Sequence, residues 1–139
     1  MKIVDGRNAV LGRLASATAR QLLAGEEVAI VNAEKVIITG NHGTTKQKYL
    51  ARRRRGSPQH GPFFPTKPDG IVRRAIRGML PYKTPRGRVA MKRLRIYTGV
   101  PEQFTQENKE SAATKLIRSD FITVGEVAKT LGWHEKIKG

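Results

Sequence analysis

The sequence predicts an α/β fold, and three features near its start predict it. Residues 2–5 are typical of a short strand and are followed by Gly6. Residues 8–24 carry apolar side chains at three- and four-residue steps, which is the spacing of one helix face. Residues 27–31 are Glu-Val-Ala-Ile-Val, typical of a buried strand. A strand, a helix and a strand at this spacing predict a parallel pair joined by a right-handed crossover.

The middle of the chain predicts three further helices. The first runs from a cap at Thr44 to about Arg55. The second runs from a cap at Asp69 to Leu80 and is ended by Pro81. The third is a short helix near Val89–Arg93. Residues 56–68 and 81–88, rich in Gly and Pro, are predicted to be a loop and a turn region. The helix over 69–80 has the clearest pattern, because its apolar residues cover one side and Arg73, Arg74 and Arg77 the other.

Short strands and one more helix complete the prediction. Strands are expected at residues 36–39 and 94–98, with Phe121-Ile122 extended, and the polar stretch 101–119 is expected to be loop or weak helix. Thr123 and Glu126 have the spacing of a capping box, which predicts a helix over residues 124–131 ending at Gly132.

Length and composition limit the class of protein. The 139 residues, of which 38% are apolar, fit one compact domain spanning residues 1–139. The chain has no cysteine, which excludes disulfides and cysteine-based zinc sites and suits a reducing compartment. No apolar run has the length of a signal peptide or a membrane span, so we expect a soluble, cytoplasmic protein.

The positive charge is concentrated in one segment. The net charge is +16, and residues 42–95, which we call the basic segment, hold sixteen Lys and Arg against a single acid, Asp69. So large an imbalance indicates a polyanionic partner, either nucleic acid or an anionic membrane surface. The apolar face of the helix over 69–80 is needed to cover the sheet and is not free to insert into lipid, which favours nucleic acid. Four aromatic residues interleave with the cations and either stack on bases or pack internally: Tyr49, Phe63, Phe64 and Tyr82.

Other kinds of site are disfavoured. Gly6 and Gly12 flank the first strand-to-helix turn, but five residues separate them, and Arg13 and Leu14 stand where a P-loop has its lysine and hydroxyl. His42, His60 and His134 are far apart and have no partners at metal-ligand spacing. No pairing of nucleophile and base is visible, so we expect no enzyme activity, no metal and no cofactor.

Several spaced motifs resemble the ribosomal protein L-thirteen family of the large subunit, in its archaeal and eukaryotic branch. In the later part of the chain they are Gly78-Met79-Leu80-Pro81, Gly87-Arg88, Leu94, Ile96, Tyr97 and Gly99. In the opening they are Asp5, Gly12-Arg13-Leu14-Ala15, Val31-Asn32-Ala33-Glu34-Lys35 and Ile37-Ile38-Thr39-Gly40. The resemblance covers roughly residues 3–100, and the branch is indicated by Arg52–Pro65 and Thr123–Trp133.

The resemblance implies a three-layer α/β/α single domain with a small, mostly parallel sheet and with basic helices and loops facing RNA. It implies a structural constituent of the ribosome in the cytoplasm, which binds large-subunit rRNA, supports subunit assembly and contacts neighbouring ribosomal proteins, with no membrane or small-molecule partner. A free RNA-binding regulator and a nucleotide-dependent enzyme are the alternatives. The RNA-binding residues we expect are Arg7, Arg13, Lys46, Lys48, Arg52, Arg53, Arg54, Arg55, His60, Lys67, Arg73, Arg74, Arg77, Lys83, Arg86, Arg88, Lys92 and Arg93.

Overall fold

The fold was analysed in a computed structural model that describes residues 1–54, 65–105, 109–111 and 120–133, the side chains of Arg53 and Arg54 excepted. The strands are β1 (Lys2–Asp5), β2 (Val28–Val31), β3 (Ile37–Thr39), β4 (Leu94–Ile96), β5 (Glu110–Ser111) and β6 (Phe121–Thr123). The helices are α1 (Leu11–Leu23), α2 (His42–Arg54), α3 (Pro68–Arg77), α4 (Pro85–Lys92) and α5 (Val124–Thr130). Short 3-10 helices lie at Ala33–Lys35 and Glu102–Phe104.

The central sheet is parallel and has the strand order β4-β2-β1-β5. β1 and β2 pair in parallel from Lys2 opposite Val28 to Asp5 opposite Val31, which confirms the predicted strand–helix–strand unit. β3 and β6 form a separate antiparallel pair, with Ile38 opposite Ile122. The strand at Phe121-Ile122 is therefore also confirmed, and it joins the tail of the chain to its first half.

The helices pack on one face of the central sheet around a single apolar cluster. α1 contacts both α3 and α4, α3 also contacts α5, and α5 contacts α2. α1 lies close to its neighbours because its buried face contains small residues, with Ala15 and Ala19 beside Leu14 and Leu22. The same cluster includes Ile30 of β2 and Leu94 of β4. The layer of helices is thus fixed by side-chain packing to β1, β2 and β4.

The opposite face of the sheet is covered by the chain that follows β4. Ile3, Ala29 and Val31 form a second apolar cluster, against which Tyr97 and Phe104 pack. The rings of Tyr97 and Phe104 meet edge to face, with centroids 5.5 Å apart. The predicted α/β fold with a small, mostly parallel sheet is confirmed. Where the prediction was a three-layer α/β/α arrangement, the described residues that cover this face belong to the chain after β4 and its 3-10 helix at Glu102–Phe104.

Polar side chains hold the carboxyl ends of the strands together. Asp5 Oδ1 accepts hydrogen bonds from the Arg7 backbone N–H and from Asn32 Nδ2, each at 3.0 Å. Glu34 Oε2 accepts from the backbone N–H of Gly99 at 2.8 Å. These two acids therefore satisfy donors of the fold itself.

Three predicted helix starts and one predicted end are wrong. α2 begins at His42 and not at Thr44, because Asn41 Oδ1 accepts from the Thr44 backbone N–H at 3.2 Å. α3 begins at Pro68, so Asp69 lies in its first turn and does not cap it, and α3 ends at Arg77 and not at Leu80. α4 begins at Pro85 and not near Val89.

The other predicted boundaries need smaller changes. Thr123 Oγ1 accepts from the Glu126 backbone N–H at 3.2 Å, which confirms the cap of α5. β4 ends at Ile96, two residues before the predicted end. Of the predicted loop 56–68 and the polar stretch 101–119, residues 56–64, 106–108 and 112–119 lie outside the described residues. The prediction of loop or weak helix is wrong at Glu110–Ser111, because these residues pair with β1 as strand β5. None of the described helices has both the length and the apolar character needed to cross a membrane.

Candidate nucleic-acid interface

The outer face of α3 carries three arginines over an apolar inner face. Ile71, Val72 and Ile76 are buried against the sheet and the neighbouring helices. Arg73 and Arg74 are exposed and Arg77 is half-buried, on the other side of the same helix. Burial of one face thus determines the direction in which the charges point.

The chain leaves α3 through a tight turn into α4, and we call residues 74–88 the α3–α4 corner. Thr84 organises it: its Oγ1 donates to the Pro81 carbonyl oxygen at 2.7 Å and accepts from the Gly87 backbone N–H at 3.3 Å. The Thr84 backbone N–H also donates to the Pro81 carbonyl oxygen, at 3.0 Å. Pro85 then takes the first position of α4, where the absence of an N–H costs nothing. The corner is therefore built by a cap and a proline at α4.

The first turn of α4 touches the backbone of the preceding turn at Gly87. A Cβ atom at this position would lie 2.0 Å from the Pro81 carbonyl oxygen and 2.8 Å from the Tyr82 nitrogen. Only glycine fits without moving one of the two segments. Arg86 and Arg88, which flank Gly87 and are exposed, are thereby held next to the turn.

Tyr82 lies at the centre of the corner and is surrounded by cations. The Arg77 guanidinium lies over its ring, with Cζ 4.4 Å from the ring centroid. A hydrogen bond from Arg77, and then the charges of Lys83, Arg77 and Arg74, lower the pKa of the Tyr82 phenol from its usual value. Tyr82 is thus an exposed ring in a positively charged setting, with Arg77 in direct contact with it.

Four cations of the corner have no acidic partner within the described residues. There, Arg77, Lys83, Arg86 and Arg88 make no ion pair with a carboxylate. Asp69 is the one acid in the sequence of the basic segment, and it lies in the first turn of α3, where the helix dipole favours a negative charge. Arg77, Lys83, Arg86 and Arg88 therefore give the corner positive charge that no carboxylate of the described residues pairs with.

α2 carries a second group of cations, which the structure does not join to the corner. Lys48 and Arg52 are exposed and Lys46 is half-buried, and α2 packs on α5 and β6. Tyr49 is buried, and its pKa is raised because burial disfavours the phenolate more than the charge of Arg52 favours it. Of the two alternatives for Tyr49, the structure therefore shows internal packing.

The remaining expected residues lie in several places. Arg7 follows β1 and Arg13 lies in the first turn of α1, both exposed, and Lys67 and Lys92 are exposed at the ends of α3 and α4. Arg93 differs, because it is half-buried and its Nη1 donates to the Leu22 carbonyl oxygen at 3.2 Å, which ties α4 to the end of α1. The Arg53 and Arg54 side chains, and Arg55, His60, Phe63 and Phe64, lie outside what the structure describes.

Sequence reasoning missed two residues that shape the corner and one exposed cation. Thr84 and Gly87 make the contacts that build the turn, and Thr84 followed by Pro85 is a recognisable helix-start pattern. Arg95 is exposed on β4, and its Nη1 donates to the Lys92 and Leu94 carbonyl oxygens, each at 3.3 Å. In the described part of the chain, no group of three or more His, Asp or Glu residues has the arrangement of a metal site.

Comparison with known proteins gives a consistent result. Residues 1–103 match the family model described as Ribosomal protein L13. Curated proteins named "Large ribosomal subunit protein uL13" are similar over nearly the whole chain. One from Methanopyrus kandleri is 46% identical, covering 95% of this chain and 87% of the relative. Others from Methanosarcina barkeri and Methanococcus maripaludis are 47% and 48% identical, each covering 95% of this chain and 98% of the relative.

The close contact at Gly87 leads to a matched pair of variants. Gly87→Ala should lower the free energy of unfolding by about 2 kcal/mol, because the new methyl group overlaps the Pro81 backbone. Gly12→Ala in α1 should raise it by about 0.5 kcal/mol, because no atom outside the helix lies within 4 Å of the new methyl group. Urea denaturation measures both. Equal stability of the two variants would contradict the described corner.

Proposed function

This chain belongs to the ribosomal protein L13 family, and on that premise we propose that it is a structural constituent of the large ribosomal subunit. In this proposal it binds large-subunit rRNA and stabilises its fold during subunit assembly. The observation that carries the proposal is the α3–α4 corner, where exposed cations such as Lys83, Arg86 and Arg88 lie on a turn fixed by the Thr84 hydrogen bonds and the Gly87 contact. The family is one of ribosomal proteins and not of enzymes.

Arginines in the corner suit the phosphates of a folded RNA. A guanidinium presents a planar fork that donates two parallel hydrogen bonds to one phosphate, and it keeps its charge at any physiological pH. Arg73 and Arg74 project from α3, and Arg86 and Arg88 from α4, so together they can meet phosphates of two backbone segments. Cations placed between two such segments reduce their mutual repulsion. This is how a protein without catalytic groups stabilises a compact RNA.

The proposed contacts follow the geometry of each residue. The corner supplies Arg74, Arg77, Lys83, Arg86 and Arg88, and α2 supplies a separate contact through Lys46, Lys48 and Arg52. Further proposed contacts are made by five other exposed cations: Arg7, Arg13, Lys67, Arg73 and Lys92. Arg93 we assign to the fold, because its guanidinium already donates to the Leu22 carbonyl oxygen. Arg53, Arg54, Arg55 and His60 remain part of the proposal on the strength of the sequence alone.

A nucleotide-dependent enzyme fits the geometry less well. Such an enzyme would use the turn after β1 to bind phosphate, and Gly6 is the glycine at that turn. A Cβ at Gly6 would lie 2.8 Å from Val36 Cγ2 and 3.1 Å from the Val31 carbonyl oxygen. The glycine is thus required by packing of the turn against the chain after β2, and it needs no phosphate to explain it.

The proposal also covers protein neighbours and location. Because the chain belongs to a family of large-subunit ribosomal proteins, we propose that it is located in the cytoplasm and that it contacts neighbouring ribosomal proteins. Residues 96–139 hold six basic and six acidic residues, in contrast to the basic segment. This balanced region is the face that we assign to neighbouring ribosomal proteins.

Sedimentation distinguishes a ribosomal protein from a free RNA-binding regulator. In a sucrose gradient of cell extract at moderate salt, the chain should be found in the peak of the large subunit, detected by an antibody or by mass spectrometry. A regulator would be found in light fractions or with messenger RNA. Absence from the large-subunit peak would refute the ribosomal assignment.

Salt dependence tests the phosphate contacts. If six to ten phosphates are met, the affinity for large-subunit rRNA should fall by roughly a thousandfold or more between 50 and 200 mM salt. Arg86→Gln and Arg88→Gln should each lower the salt slope by about one. Arg20→Gln, which removes an exposed charge of α1 outside the basic segment, is the control and should leave the slope unchanged. An affinity that does not depend on salt would exclude this mode of binding.

A further inference from the structure

We propose that Tyr82 is a stacking platform for one unpaired base of the RNA. This inference rests on the proposed function and deepens it, because it assigns a base contact to a surface otherwise argued from phosphate contacts alone. It is carried by three observations: the way in which the ring is presented, the way in which its backbone is held, and the charge around it.

The ring is presented with one face occupied. Tyr82 is 37% exposed, and Arg77 lies over one face of its ring with Cζ 4.4 Å from the centroid. Among the described residues, no other aromatic ring or cation stacks on it. Because more than a third of Tyr82 is exposed, part of the residue is accessible to a third planar group. A nucleobase is the planar group that an RNA surface provides.

The backbone of Tyr82 is held before any RNA arrives. Its N–H donates to the Leu80 carbonyl oxygen at 2.8 Å, and Leu80 is buried in the main apolar cluster. On the other side, the first turn of α4 closes on Tyr82 through Gly87. Because the backbone of Tyr82 is already fixed on both sides, the residue loses little conformational freedom when a base stacks on its ring. More of the stacking energy therefore appears as affinity.

The charge around the ring selects a nucleotide over an apolar partner. Lys83, Arg77 and Arg74 act on the phenol, and Arg86 and Arg88 flank the glycine that touches its backbone. An apolar protein segment docked here would bury the charges of Lys83, Arg86 and Arg88 without compensation, whereas a nucleotide brings a phosphate with its base. The base must be unpaired, because bases within an A-form helix are already stacked on both faces.

Tyr49 shows that the local sequence pattern alone does not decide this role. It too has an arginine over its ring, with Arg52 Cζ 5.3 Å from the centroid. Tyr49, however, is only 8% exposed and belongs to the main apolar cluster, so its ring has no face for a base. Exposure in a basic setting separates the two tyrosines.

The test compares variants that keep or remove the ring. Affinities are measured by filter binding of the full chain to a transcript of the large-subunit rRNA from the same organism. Tyr82→Leu should weaken binding about tenfold, which is within the range for loss of one base–aromatic stack, and should leave the salt slope unchanged. Tyr82→Phe and Tyr82→Trp should bind within about twofold of the unchanged chain, because stacking needs only the ring.

The outcomes separate this inference from the function on which it rests. If the unchanged chain does not bind the transcript, the proposed function fails. If it binds and Tyr82→Leu binds equally well, only the stacking role is refuted. Equal melting temperatures of Tyr82→Leu and the unchanged chain show that a loss of affinity is not a loss of fold. Ultraviolet crosslinking of the complex should join Tyr82 to a nucleotide that is unpaired by chemical probing, and a crosslink to a paired nucleotide would overturn the proposal.

Discussion

The parallel pairing of β2 between β1 and β4 is the interaction on which the rest of the structure depends. All four residues of β2, Val28–Val31, have no exposed surface, and their side chains serve both apolar clusters. Burial of one such aliphatic side chain contributes about 1.5–3 kcal/mol. Helix α1 packs on β2, and α3 and α4 in turn pack on α1, so the position of all three helices depends on β2. If β2 were lost, the basic helices would have no surface to bury their apolar faces.

Packing on β2 and α1 allows helices of the strongly charged basic segment to be ordered. Sixteen cations with one acid repel one another, and in a chain without apolar periodicity they would favour disorder. Here the apolar face of α3 is buried, and the turn after it is closed by Thr84 and by the contact at Gly87. The repulsion is thus opposed by packing, and the charges face outward in a fixed arrangement. A fixed arrangement is what recognition of an irregular RNA backbone requires, because each phosphate has a definite position.

The sequence predicted the architecture well and the corner poorly, for a physical reason. The strands β1 to β4 and helix α1 follow from apolar patterns, and α5 follows from the cap that Thr123 makes with Glu126. β5 was missed, because its exposed residues Glu110 and Ser111 carry no apolar pattern. The role of Gly87 depends on how close Pro81 comes, which is a property of the folded turn and not of either residue. Likewise, Arg93 belongs to a run of cations in the sequence, and only the position of the end of α1 gives it the Leu22 carbonyl oxygen as a partner. Periodicity therefore predicts which faces are charged, and tertiary contacts decide which of their cations are already engaged within the fold.

Hydrogen exchange of the free protein tests most directly whether the basic surface is formed before RNA binds. Three backbone N–H groups report on the corner. The N–H of Thr84 donates to the Pro81 carbonyl oxygen, that of Gly87 to Thr84 Oγ1, and that of Arg88 to the Thr84 carbonyl oxygen. We expect all three to exchange far more slowly than in an unfolded chain. We expect added large-subunit rRNA to change this protection little. Exchange at the unfolded rate in the free protein, with protection gained only in the complex, would show instead that the corner folds on RNA and would contradict the account.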